Sequence, residues 1–102
     1  AEWTLRVLKR TTPAAVPTIN FLSGGQSPEE ATAHLAAMNR MADASVPWVL
    51  SFSYARALQG PAMEAWAGKS ENVSEAQRLF ARRTELASLA RAGEYETAME
   101  AA

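Results

Sequence analysis

Two short runs in this sequence carry residues that could hold an anion: Ser23-Gly24-Gly25 and Tyr54-Ala55-Arg56. Each follows a β-preferring stretch and precedes a helical one, so each falls at the C-terminal end of an expected strand. Glycine permits close backbone approach to an anion, Ser23 offers a hydroxyl donor, and the planar Arg56 guanidinium can grip a phosphate through two parallel hydrogen bonds. The start of a helix beyond each turn adds unpaired N–H groups and a dipole that favours negative charge. On spacing alone, the same residues also fit an ordinary small-residue turn and a solvated surface arginine.

Other reactive side chains are more simply placed. His34 is the only histidine and there is no cysteine. A metal site at His34 and Glu30 would need further ligands from elsewhere, so His34 reads as a partly exposed helix residue. Ser23, His34 and Asp43 do not suggest a triad, because His34 and Asp43 lie within or just after one helix that Ser23 precedes. Glu29 and Glu30 complement the positive end of that helix. Arg82, Arg83 and Glu85 read as the solvated face of the last helix. Trp3, Trp48 and Trp66 read as core or wrapping contacts, not as platforms for stacked bases.

The elements that must position these residues are marked by punctuation. Trp3, Leu5, Val7 and Leu8 alternate with charged residues at helical spacing from the first residues onward, with no capping residue ahead, which suggests that sequence upstream has been cut away. Pro13 and Pro17 end that helix and bias their predecessors toward extended geometry. A strand is predicted near 18–22. Ser27, Pro28 and Glu30 then form a capping box with proline at the first helical position, and Ala31, Leu35, Met38 and Ala42 give the helix a buried stripe. A second strand is predicted near 48–54, with Trp48, Leu50, Phe52 and Tyr54 packed under helices and Val49, Ser51 and Ser53 on a tighter, more polar face. Arg56 opens a short helix interrupted at Gly60-Pro61 and continued by Met63 and Trp66 to Gly68. Asn72, with Glu75 three residues on, is predicted to cap a last helix that ends at Gly93.

Two strand–turn–helix units in succession imply a parallel pair of strands. Such a pair leaves both edges open, so the segment reads as part of a larger α/β structure. The 102 residues can bury one modest core, and 48% hydrophobic with 21% charged residues is an ordinary globular composition. Ten basic residues against eleven acidic ones give a net charge of -1, which supplies no global field for nucleic acid or an anionic membrane. Without cysteine there is no disulfide framework, thiolate zinc site or thiol nucleophile, as suits a reducing cytosol. No apolar run reaches the ~18 residues of a membrane helix, and no signal peptide is recognisable.

The run Phe21-Leu22-Ser23-Gly24-Gly25-Gln26-Ser27 with Glu29-Glu30-Ala31, and the run Ser51-Phe52-Ser53-Tyr54-Ala55-Arg56-Ala57-Leu58-Gln59, closely resemble the last two βα units of class I fructose-bisphosphate aldolases. The likeness extends in order through Leu5-Arg6-Val7-Leu8-Lys9-Arg10-Thr11, Met38-Asn39, Trp66, Gly68, Glu71-Asn72 and Leu89-Ala90 to Tyr95. It implies that residues 1–102 are the C-terminal segment of one (β/α)₈ barrel domain, contributing its last two βα units and C-terminal helices. It also implies cleavage of fructose 1,6-bisphosphate to dihydroxyacetone phosphate and glyceraldehyde 3-phosphate, without metal or cofactor, in a cytoplasmic homotetramer that binds neither nucleic acid nor membrane. By the same resemblance, Ser23, Gly24, Gly25, Ser53, Ala55 and Arg56 bind a substrate phosphate, with the Ser23 hydroxyl, the N–H groups of Gly24 and Ala55 and the Arg56 guanidinium as donors and Ser53 lining the pocket.

The departures bear on activity. Animal members commonly have glycine where this chain has Ala55, while plant-type and bacterial relatives tolerate alanine there. The family's Schiff-base lysine lies on an earlier strand, and Lys9 and Lys69 match no such position, so no catalytic residue is assigned within this segment. The tail that folds over the family's active site has no counterpart after Tyr95. The alternative reading is a non-catalytic phosphate-binding or interaction fragment that folds only with a partner barrel piece.

Overall fold

Most prolines and glycines stand where the elements change direction, Gly60 and Pro61 being the exception. The computed structural model describes residues 1–101 and runs α1 (Glu2–Thr11), β1 (Thr18–Phe21), α2 (Pro28–Met41), β2 (Val49–Phe52), α3 (Arg56–Trp66) and α4 (Val73–Arg91). Short 3₁₀ turns at Ser70–Asn72 and Thr97–Ala101 flank α4. The strands pair in parallel with Thr18 opposite Val49 and Phe21 opposite Phe52. They are shorter than the predicted 18–22 and 48–54, because the ladder stops where each strand loses its neighbour. Trp48 lies just outside it, buried, with its indole N–H donating 2.9 Å to the Pro13 carbonyl.

The helices cover one face of this pair. Leu50 and Tyr54 pack with Leu35, Leu86 and Ala90, while Thr18, Asn20, Val49 and Ser53 on the opposite side are exposed. The predicted division into an apolar and a polar face therefore appears as drawn. Asn39 ties the layers together: its Nδ2 donates to the carbonyls of Leu35, Leu50 and Ala90 at 3.1, 3.2 and 3.2 Å. The two N–H groups of this one amide are shared among carbonyls of α2, β2 and α4, which draws the three elements together.

Several expectations need correcting. Helix α3 is continuous through Gly60 and Pro61. Proline normally clashes with the Cβ of the residue before it, and glycine has none, so the helical conformation survives there. Asn72 makes no side-chain cap; its amide donates instead 3.3 Å back to the Trp66 carbonyl, and the 3₁₀ turn feeds straight into α4. Ala42 is the half-buried residue after α2, while Ala31, Leu35 and Met38 fill the buried stripe. The predicted end at Gly93 is right. Gly93, at φ +75°, donates to the Ala90 carbonyl and Glu94 donates to that of Leu89, the paired bonds of a Schellman motif.

Arg83 is the largest correction: it is buried, not solvated. Its guanidinium pairs with Glu100 and donates to Thr32 Oγ1 at 2.8 Å and to the Pro28 carbonyl at 3.0 Å. Among the tryptophans only Trp48 is in the core. Trp3 is 69% exposed, stacked by Arg6 with its guanidinium carbon 4.5 Å from the ring centroid, and Trp66 is 45% exposed.

This is an elongated segment. Its radius of gyration is 15.1 Å, against about 13 Å for a self-contained domain of this length. Its accessible surface is 6337 Å², against about 5,600 Å² for a folded monomer of this mass. The excess includes Leu22, Met63 and Phe80, large apolar side chains left open.

Both tyrosines of the chain are buried with their hydroxyls bonded, Tyr54 to the Ala31 carbonyl at 2.8 Å and Tyr95 to the Glu100 carboxylate at 2.7 Å. Burial pushes the Tyr54 phenol up to about 12; burial first, and then the Glu100 hydrogen bond, push Tyr95 up to about 12. The folded state therefore holds protons that an unfolded chain releases near pH 10, so this contribution to stability is intact below ~10 and is lost as pH rises toward 12. An alkaline titration should show phenolate absorbance appearing only together with the loss of helical circular dichroism. Ionisation near pH 10 in a chain still helical would disprove it.

Candidate phosphate site at two adjacent strand ends

Because β1 and β2 are neighbours, the loops that leave them lie side by side. After β1 the chain passes through exposed Leu22 to Ser23, which is only 4% exposed, and then through the open Gly24 and Gly25. Gly25 sits at φ +77°, a conformation a side chain would strain. Gln26 N–H closes the turn on the Ser23 carbonyl at 3.1 Å. The expected capping box follows: Ser27 Oγ accepts from Glu30 N–H at 3.0 Å and Glu30 Oε1 accepts from Ser27 N–H at 3.1 Å. The bond from the Ser27 backbone, with help from its hydroxyl, holds the Glu30 carboxyl below the usual carboxylate range.

After β2, Ser53 N–H donates 2.8 Å to the Phe21 carbonyl, which pins the second loop to the first. Tyr54 turns into the core, and Ala55 is the cap residue of α3 with no side chain to cap it. Ser23 supplies what Ala55 lacks. Its Oγ accepts a long, 3.4 Å hydrogen bond from the N–H of Ala57, in the first turn of α3. That leaves the hydroxyl proton of Ser23 available to a further acceptor. Arg56 opens α3, is exposed, and is in no ion pair among the described residues.

The structure thus brings Ser23 and the Ala55–Arg56–Ala57 turn together, with Gly24 and Gly25 on the adjoining loop and Ser53 on the open face of β2. A hydroxyl, a guanidinium and the amides that begin a helix make a cradle suited to an anion. Neither lysine belongs to it: Lys9 is on α1 and Lys69 follows α3, both exposed. Among the described residues no group of His, Cys, Asp and Glu could hold a metal. An open apolar groove lies elsewhere, between α3 and α4, lined by Met63, Trp66, Val73 and Phe80 with two glutamines and no ionisable group.

One contact of this region was missed in the sequence. His34 Nδ1 lies 2.6 Å from Oε1 of Gln26, on the loop that carries Gly24 and Gly25. The only available signal was positional, since a residue on the second turn of α2 projects back toward the loop that enters the helix.

Over residues 1–102 the sequence matches the glycolytic family described as fructose-bisphosphate aldolase class-I. It is 54% identical over 96 residues to the cytoplasmic isozyme of fructose-bisphosphate aldolase of Spinacia oleracea, covering 94% of this chain and 27% of the relative. It is 55% identical over 94 residues to fructose-bisphosphate aldolase B of Gallus gallus, covering 92% and 26%. A solved structure of fructose-bisphosphate aldolase from Plasmodium falciparum superposes with a TM-score of 0.86 at 47% identity, covering 91% of this chain and 26% of that one. The chain spans about a quarter of the length of these relatives. Agreement this close across nearly the whole chain carries more than a shared fold: the chain belongs to the class I fructose-bisphosphate aldolase family and corresponds to its C-terminal portion.

Proposed function

We propose that this chain forms the last two βα units and C-terminal helices of a (β/α)₈ barrel and holds a substrate phosphate there, within an aldehyde-lyase that cleaves fructose 1,6-bisphosphate to dihydroxyacetone phosphate and glyceraldehyde 3-phosphate. The observation that carries this reading is the bond from Ala57 N–H to Ser23 Oγ, which joins the two strand-end loops into one cradle. Strand C-terminal ends are where barrels of this kind build their sites, with phosphate held after the last strands. The exposed sheet face bearing Asn20 and Ser53 becomes barrel interior, and the open apolar side chains become contacts with the remaining barrel or with other subunits of a tetramer. The relatives' names, cytoplasmic and cytosolic, support a cytoplasmic setting.

The Ser23 hydroxyl, the N–H groups of Gly24 and Ala55, and the Arg56 guanidinium grip the phosphate, Gly25 lets the loop close over it, and Ser53 lines the pocket. Gripping a phosphate that does not itself react fixes the substrate carbonyl against a lysine contributed by an upstream strand. The segment binds; the lysine that forms the imine comes from elsewhere in the barrel. Borohydride reduction with dihydroxyacetone phosphate tests this division of labour. The protein carrying this segment together with the rest of the barrel should gain one adduct, on a lysine outside these residues, while the segment alone keeps its mass. An adduct on Lys9 or Lys69 would overturn the assignment.

A further inference from the structure

We propose that His34 is a positioning residue for the phosphate loop, acting through Gln26. This rests on the reading of Ser23, Gly24 and Gly25 as a phosphate cradle and adds a residue that reading does not contain. The loop needs holding because little packs against it: Gly24 and Gly25 are exposed, and a Cβ at either would meet nothing within 4 Å. Glycines also lose more conformational freedom on ordering than any other residue. Its upstream end is fixed by buried Ser23, bonded to Ala57 N–H. Its downstream end is fixed at Gln26, whose N–H closes the turn on the Ser23 carbonyl at 3.1 Å and whose amide oxygen lies 2.6 Å from His34 Nδ1.

With the amide oxygen facing the ring, Nδ1 carries the proton and donates, in both the neutral δ tautomer and the imidazolium. His34 stands on the second turn of α2, a helix whose start is fixed by its capping box. The loop is thereby referred to a rigid body and not only to its own backbone. A cradle organised before its ligand arrives binds more tightly, since less freedom remains to be lost.

The test uses the full-length enzyme carrying this segment, with fructose 1,6-bisphosphate as substrate and inorganic phosphate as competitive probe. His34→Ala should raise KM and weaken inhibition by phosphate about three- to tenfold, the range of one hydrogen bond, with kcat little changed. His34→Asn should restore both values, because asparagine Nδ2 occupies the place of imidazole Nδ1. Gln26→Leu should match His34→Ala, and the double variant should be no worse than either single one. Arg56→Ala serves as the reference for the cradle itself. If Arg56→Ala weakens phosphate binding and His34→Ala does not, or if His34→Asn is as impaired as His34→Ala, the tether is overturned while the cradle stands. If Arg56→Ala has no effect, the cradle falls and the tether with it.

Discussion

Arg83→Met should destabilise this segment by about 3 kcal/mol, in the range found when one partner of a buried ion pair is removed. Arg83 is 6% exposed, and its guanidinium ties its own helix α4 to Glu100, to Thr32 Oγ1 and to the Pro28 carbonyl at the start of α2. Without it, Glu100 keeps the Tyr95 hydroxyl as its one side-chain partner among the described residues, and the Pro28 carbonyl loses one of its side-chain donors, keeping the Thr32 hydroxyl. The pair is not worth that much in itself, since desolvating two charges offsets most of their attraction. Arg83→Met combined with Glu100→Leu should therefore recover much of the loss, and Glu100→Gln, which keeps hydrogen-bonding capacity, should cost less than Arg83→Met. Urea denaturation followed by far-ultraviolet circular dichroism measures each. An Arg83→Met variant within ~0.5 kcal/mol of the parent would show that the cluster is incidental.

Arg83 also shows where reading a sequence succeeds and where it stops. The helical period places residue 83 between Leu79 and Leu86 on the stripe that ends at Ala90, so its position pointed inward while its side chain pointed outward. Residue type prevailed in the reading because the partners that make burial tolerable, Thr32 and Glu100, are remote in sequence. Trp3 and Trp66 show the opposite pattern: their type and spacing suit a buried or wrapping contact, yet both are exposed here. The capping box at Ser27 and Glu30 and the Gly93 terminus were legible because each is settled within a few residues. Asn72 looked equally local, but the cap was displaced by a 3₁₀ turn and a bond to Trp66. The cradle was legible as two separate turns. That Ser23 caps the helix Ala55 cannot cap depends on strand register, which joins residues 34 apart.

Arg56→Ala should weaken binding of fructose 1,6-bisphosphate by the complete enzyme about ten- to a hundredfold, corresponding to the ~1.5–3 kcal/mol of a hydrogen bond to a charged group. The fold should be indifferent to the change. Arg56 is exposed and bonded to nothing among the described residues, and alanine is a better helix former. Ser23→Ala should behave differently, because its hydroxyl caps α3 through Ala57 and, in the proposed site, also donates to the phosphate. Binding should fall and stability should fall with it, by about 1 kcal/mol, the ordinary cost of a lost helix cap. Arg56→Lys should lie between Arg56→Ala and the parent, keeping charge but losing the two-pronged grip. Isothermal titration with a bisphosphate, paired with urea denaturation of each variant, separates these effects. If Arg56→Ala binds as the parent does, the guanidinium is outside the site; if Ser23→Ala loses stability but no affinity, Ser23 is a helix cap and its hydroxyl takes no part in holding the phosphate.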